Sequence, residues 1–276
     1  MAIEKSGEPA RFAAFEQAGW DANIAGYDRA FGALARRSVP AVLDAAGVAR
    51  GARVLDVCCG AGLLAAGALE RGAEAVGLDF SAPAVALARR QVPGASFRQG
   101  DAQALPFPAG SFDAVVCGYG LMHLPEPAAA LNEMLRVLRA GGRVAVSVWD
   151  SSGVGFALIY EAARACGAAD AALPRGPDAF QFGAPARMRA ALAESGFADA
   201  AAQRFDQDWR VADLAGYLDA IRTGTVRSGA VLAAQSGAAA AAMRAHIAGR
   251  LARFRAPAGG FAVPMPAVIG SGARPG

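Results

Sequence analysis

The spacing of apolar positions changes along this chain. Over residues 8–50 it is helical, with Phe12, Phe15, Trp20, Tyr27 and Phe31 forming an aromatic-rich lead-in and residues 39–46 a second helix. From residue 53 onward, short apolar runs alternate with alanine- and leucine-rich helical segments. They predict a strand over 53–58, a helix over 62–71 and a strand over 75–79. A helix over 82–91 follows, capped by Ser81 with Pro83 near its start. Strands are expected at 96–99 and 114–117, then a helix over 128–138, a turn at 139–142 and a strand over 143–149. Beyond that the pattern loosens. A helix over 185–194 leads to a strand over 200–206, and 260–269 reads as an antiparallel last strand, bent or at an edge because of Pro264 and Pro266. Two stretches, 151–182 and 207–257, remain as helical insertions, the second containing an alanine-rich helix over 238–253.

The chemistry concentrates where the first strand ends. In the run VLDVCCGAGLL (54–64) a buried strand closes on an acid and a small-residue turn before a helix begins. Gly60 and Gly62 let the backbone turn sharply and let a ligand lie against it, while the helix start presents free N–H groups. A second strand ends at Asp79, about 20 residues after Gly60, where an acid is placed to hold two ribose hydroxyls. The dinucleotide pattern G-x-G-x-x-G is missing, and Asp56 before the turn would repel a pyrophosphate but suits a cationic or zwitterionic ligand. No P-loop lysine is available, Lys5 being the single lysine of the chain.

Four segments in order, VLDVCCGAG (54–62), GLDFS (77–81), GDAQALPF (100–107) and FDAVVCGYGLMHL (112–124), closed by LRAGGRVAVSVW (138–149), resemble the class I S-adenosylmethionine-dependent methyltransferases. The likeness is greatest to the small-molecule type that includes quinone-ring C-methyltransferases. Cys58 departs from it, standing where a glycine is usual. The resemblance implies an α/β fold: a Rossmann-like, doubly wound, seven-stranded, mostly parallel sheet with an antiparallel last strand and helical cap insertions. It implies a single methyltransferase domain over 1–276, with lid helices at 8–50, a cofactor-binding half at 51–150, caps at 151–182 and 207–257, and the rest of the sheet at 183–206 and 258–271. It further implies S-adenosylmethionine as cofactor. Asp56, with Gly60 and Gly62, would hold its aminocarboxypropyl end, Asp79 the ribose, and Phe80, Asp101 and the Ala102 N–H the adenine, with Cys58, Ser81 and Gln103 also among the cofactor-binding residues. The Gly118 carbonyl would meet the ammonium, and Tyr27 the methionyl end. Asp101 also reads as an ordinary turn aspartate, and Tyr27 as an ordinary core tyrosine.

His123, one of two histidines, follows the fourth strand beside the expected methyl position. It is a candidate base, or else a buttress of the turn; Tyr119 is a second candidate. Phe12, Trp20, Tyr119, Trp149, Phe156, Tyr160, Phe182 and Arg222 are candidate substrate-pocket residues. The function expected is methyl transfer to an O, C or N atom of a small apolar, ring-containing metabolite. A second reading is chemistry on the cofactor itself, by cyclisation or aminocarboxypropyl transfer, releasing methylthioadenosine rather than S-adenosylhomocysteine. A third is a non-catalytic cofactor-binding protein.

Composition narrows the partners. The chain has 276 residues, four cysteines and a net charge of +3 from scattered arginines, with no basic block, so no nucleic-acid partner is expected. The methyltransferase signature for exocyclic base nitrogens, Asn/Asp-Pro-Pro-aromatic, is missing after strand four. No H-E-x-x-H or paired cysteine spacing predicts a metal, and the cysteines read as reduced thiols. No stretch approaches the ~20 apolar residues of a membrane span, and the N-terminus has no apolar signal core, so a cytoplasmic protein without membrane insertion is expected. Monomer and homodimer both remain open.

Overall fold

Two helices, α1 (Glu8–Arg36) and α2 (Val39–Ala45), precede an alternating series. It runs β1 (Arg53–Val57), α3 (Leu63–Glu70), β2 (Glu74–Asp79), α4 (Ala82–Gln91), β3 (Ser96–Gln99), β4 (Phe112–Gly118), α5 (Pro127–Val137) and β5 (Leu138–Trp149). The remainder is α6 (Val154–Ala165), α7 (Pro185–Glu194), β6 (Ala198–Phe205), β7 (Asp208–Val211), α8 (Leu214–Gly224), α9 (Arg227–Ala233), α10 (Gly237–Leu251), β8 (Phe261–Pro264) and β9 (Ala267–Ala273). These elements come from a computed structural model that describes residues 7–167 and 173–276. Lys5 and residues 168–172 of the first expected insertion lie outside the described residues.

Seven strands form one sheet in the order β3-β2-β1-β4-β5-β9-β6, parallel except for β9, which runs antiparallel to both neighbours. The doubly wound sheet expected from the sequence is therefore present. Its central strands read as unbroken apolar runs because both faces are covered. Val54 points into the layer made with Val42 and Leu43 of α2, Ala65 of α3 and Val85 of α4. Leu55 and Val57 point the other way, toward Leu131 and Met134 of α5 and Leu158 of α6. Each such fully buried side chain is worth roughly 1.5–3 kcal/mol over its exposed state, and a one-residue slip of β1 would exchange its two faces. Ser81 caps α4 as expected, its Oγ accepting from the Ala84 N–H at 3.2 Å.

The structure departs from the sequence reading in three places, two of them in the C-terminal part. The single last strand expected at 260–269 is two strands. β8 pairs with β7 in a separate ribbon, and β9 alone enters the main sheet. Pro264 and Pro266 flank the change of sheet, consistent with prolines lacking the N–H that a continuous ladder requires. β7 itself was unexpected within an insertion read as wholly helical; the alternation of exposed Asp208 and Arg210 with buried Trp209 and Val211 marks it. The turn expected at 139–142 is an irregularity inside β5, where pairing jumps from Leu138 opposite Phe112 to Arg143 opposite Ala114.

Helix α1 packs on the cap as well as on the sheet. Its Gly26 lies directly beneath the Thr223 carbonyl at the end of α8, and Asn23 Nδ2 donates to the Thr225 carbonyl at 2.9 Å. Strand order reverses between β1 and β4, and in open sheets of this kind ligands sit at such a switch point, beyond the carboxyl ends of the strands. α1 and the cap roof that edge.

Candidate functional site

The turn after β1 is built from left-handed backbone. Gly60 and Gly62 have φ of +51° and +85°, and Cys58, where glycine would be free of strain, has +57°. Across the switch point, Tyr119 at the end of β4 has φ +55°. Non-glycine residues in this region cost of order 1–3 kcal/mol each and tend to gather at functional sites. Gly120 must lack a side chain because a Cβ there would overlap Cys58.

Three acids stand at the carboxyl edge, in three different states. Asp56 is buried and spends one oxygen on the Ala65 N–H of α3 at 3.0 Å. Burial pushes its carboxyl up to about 8, the Ala65 N–H opposing the shift and Asp79 adding to it. Asp79 accepts the Gly60 N–H on one oxygen and the Ser81 N–H on the other, each at 2.9 Å. Burial raises it to about 6 against those two bonds. Asp101 is exposed, and its Oδ1 accepts the Gln103 N–H at 2.8 Å, the turn role that was the plainer reading of its sequence.

Three cavities meet at this edge. The first is lined by Tyr27, Asp56, Cys58, Gly60, Asp79, Phe80, Gly118, Tyr119 and Ser147 among others, and the second by Asp79, Phe80, Asp101, Ala102 and Gln103. The third has aromatic walls, with Trp20, Tyr27, Trp149, Phe156 and Tyr160. Among the described residues, His123 is the one lining all three. Other expected site residues fall elsewhere. Gly62 and Ser81 line none of these cavities and act through the backbone, as turn and helix cap. Phe12, Phe182 and Arg222 also line none of them. Phe12 is buried under the Arg227 guanidinium, 4.6 Å from its ring centre, Phe182 packs against the core, and exposed Arg222 pairs with Asp219.

Tyr119, a candidate for catalysis, is held on every side. Its ring stacks on Trp149 with centroids 4.1 Å apart, and its hydroxyl bonds Ser38 Oγ at 2.9 Å and accepts from Gln207 Nε2 at 3.3 Å. Burial drives the phenol up to about 12, only partly offset by those two partners, so it stays protonated.

His123 has a partner that sequence reasoning missed. Glu16 of α1, 1% exposed, meets His123 Nδ1 at 2.9 Å and Trp20 Nε1 at 3.2 Å through one oxygen, and Arg227 Nε at 2.5 Å through the other. Burial alone would raise the Glu16 carboxyl, but His123 and Arg227 together hold it below its ordinary value. A signal was present in the sequence: Glu16 sits between Phe12 and Trp20 at i±4, an acid on the aromatic face of an amphipathic helix.

The first two cavities suit the cofactor the motifs imply. Ser147 Oγ is buried in the first cavity with no protein partner, an orphaned polar group of the kind a polar ligand satisfies. Asp79 retains acceptor capacity on both oxygens at the junction of the two cavities.

Residues 55–146 match the family described as methyltransferase domain. A demethylmenaquinone methyltransferase of Beutenbergia cavernae is 46% identical over 107 residues, covering 39% of this chain and 45% of the relative. That of Thermus thermophilus is 43% identical over 115 residues, covering 39% and 52%. The matches thus span about half the length of these relatives. Among solved structures, the YcgJ protein of Bacillus subtilis superposes with TM-score 0.57 at 20% identity, covering 87% of this chain and 99% of that one. The Haemonchus contortus phosphoethanolamine N-methyltransferase 2, solved with S-adenosyl-L-methionine, gives 0.56 at 18%, covering 93% and 57%. These two likenesses carry the fold. The family match places a methyltransferase domain at residues 55–146, along the carboxyl edge of a sheet ordered 3-2-1-4-5-9-6.

Proposed function

We propose that this protein transfers a methyl group to an oxygen or ring carbon of a flat, largely apolar hydroxylated ring, of which a reduced quinone is the type. The carrying observation is the position of His123, the residue common to the two cavities that reach the acids at the strand edge and the aromatic one under the cap. Quinone-type chemistry draws its support from the sequence relatives, named as demethylmenaquinone methyltransferases, and from the walls of the third cavity.

In this reading Asp79 takes the ribose hydroxyls, while Gly60, the Gly118 carbonyl, Ser147 and Asp56 surround the aminocarboxypropyl end. Phe80, Ala102 and Asp101 flank the adenine. When bound, S-adenosylmethionine supplies an electrophilic methyl on a sulfonium. The chain's own task is alignment: Trp20 and Tyr27 line both the first and third cavities and position a flat acceptor at their junction. His123 removes the proton that an acceptor hydroxyl sheds as its oxygen, or the ring carbon it activates, becomes the nucleophile. Tyr119, locked between Ser38, Gln207 and Trp149, shapes the floor rather than moving a proton.

The experiment is turnover on reduced quinones, phenols and arylamines, read as S-adenosylhomocysteine formed, for the wild type and His123→Ala. Loss of a general base predicts a fall in kcat of roughly 10²–10⁴-fold with cofactor affinity unchanged. Equal turnover in the variant removes the base. Turnover restricted to the amines removes the hydroxylated ring as the substrate class.

A further inference from the structure

His123 as the base leaves open which of its ring nitrogens is free to act. Its environment answers this through a residue on another element. We infer that Glu16 is a positioning residue that fixes His123 with its proton on Nδ1, leaving Nε2 as the nitrogen that accepts the substrate's proton. The inference rests on the methyl-transfer reading only for the identity of that proton.

Glu16 is buried with donors on both oxygens, Trp20 Nε1 and His123 Nδ1 on one and Arg227 Nε on the other. An ionised carboxylate can only accept, so the His123 nitrogen 2.9 Å away must be the donor. The ionised state is secured from the far side. The Arg227 guanidinium is itself pinned, donating to the Met122 carbonyl at 2.8 Å and the Pro177 carbonyl at 2.9 Å. Met122 is the neighbour of His123, so the guanidinium holds both the backbone beside the imidazole and the carboxylate that orients it. A buried carboxylate keeps its charge only where it is paired and hydrogen-bonded, and this one is both.

The geometry spans the whole roof of the site. Glu16 comes from α1, His123 from the turn after β4, and Arg227 from the first position of α9. Trp20 lies edge-on to the imidazole at 4.8 Å between centroids and fixes the ring from its other side. The imidazole is therefore oriented only when the N-terminal helix and the cap are both docked on the sheet edge. A bare structural latch between α1 and α9 would need the Glu16–Arg227 pair alone; the third bond, to the imidazole, is what ties the latch to the base.

The test is two-bond ¹H–¹⁵N NMR of the uniformly ¹⁵N-labelled full chain, with no acceptor present. The chain has two histidines, and His246→Gln assigns the signals. The expected spectrum shows His123 with protonated Nδ1 and, when the ring is neutral, a lone pair on Nε2. Glu16→Gln tests the cause. Its amide turns oxygen toward the Arg227 guanidinium, which has no acceptor, gives up the bond from Trp20 Nε1, and so presents NH₂ to Nδ1 and moves the imidazole proton to Nε2. In that variant kcat should fall roughly 10²-fold, the scale of a lost general base, while cofactor affinity stays within about twofold. A wild-type spectrum with the proton on Nε2, or a Glu16→Gln enzyme with unchanged kcat, would overturn the inference. If Glu16→Gln does not fold, the wild-type spectrum decides the tautomer, and Glu16→Asp, which keeps the carboxylate on a shorter arm, decides the rate by retaining part of the activity or not. A Nδ1–H imidazole in a protein that methylates no acceptor would count against the methyl-transfer reading and leave the tautomer assignment standing.

Discussion

Gly26 of α1 and the carbonyl of Thr223 at the end of α8 are in such close approach that a Cβ on residue 26 would overlap the carbonyl oxygen. The obstacle is backbone, which cannot swing aside. Gly26→Ala should therefore lower stability by about 1–3 kcal/mol, the usual cost of overpacking. It should also raise the Kd for cofactor, because the same helix carries Trp20 and Tyr27 into the site. Urea unfolding and calorimetry read the two effects. Gly249, inside α10 with open space around its Cα, is the control: Gly249→Ala should stabilise by about 0.5–1 kcal/mol.

Asp79 is the acid whose loss the cofactor should feel most. Asp79→Ala removes a carboxylate acceptor and leaves the Gly60 and Ser81 N–H groups without a partner. Charge-assisted bonds are worth about 1.5–3 kcal/mol each, so S-adenosylmethionine should bind at least about tenfold more weakly by calorimetry. Unchanged affinity would refute the ribose assignment.

The same carboxyls make the ligand-free fold pH-sensitive, with a sign that follows from burial. Asp79 at about 6 and Asp56 at about 8 both lie above the ordinary 3.8, so the folded chain holds protons that the unfolded chain has shed. Stability from these two groups is therefore greatest near the ordinary carboxylate value and falls as pH rises through 6 and on to about 8. Glu16 and Glu133, lowered from 4.5, act in the opposite sense but only at more acid pH. Urea midpoints should drop between about pH 5 and about pH 8, and Asp56→Asn should flatten the upper part of that drop. A wild-type midpoint that rises over this range would contradict the burial argument.

Tyr119→Phe separates shape from chemistry. The ring can still stack on Trp149, but Gln207 Nε2 loses its partner in a buried place and Ser38 Oγ keeps only the Ala35 carbonyl. A cost of about 1–3 kcal/mol in stability is expected, with kcat changed far less than in His123→Ala. A collapse of kcat with stability intact would make the hydroxyl catalytic.

Much of this was legible in the sequence where local rules and the global fold agree. The runs ending at Asp56 and Asp79 marked buried parallel strands, and Ser81-Ala82-Pro83 marked a helix start. The carboxyl edge of the sheet was legible for the same reason: every piece of it follows its strand within a few residues. Contacts between remote elements were not. Glu16, 107 positions from His123 and 211 from Arg227, is an unremarkable acid until α1 is folded onto the cap. Ser38 and Gln207 around Tyr119 were hidden likewise. The ribbon of β7 and β8 escaped because its strands are four residues long and far apart in sequence, each readable as part of something else.

The most direct test of methyl transfer is mass spectrometry of the purified chain incubated with S-adenosylmethionine deuterated on its methyl, first alone and then with a reduced naphthoquinone. The account predicts no consumption without acceptor; with it, S-adenosylhomocysteine should form alongside a product bearing one trideuteromethyl group. Methylthioadenosine released in the absence of acceptor, or label retained on the cofactor with every ring offered, would contradict it.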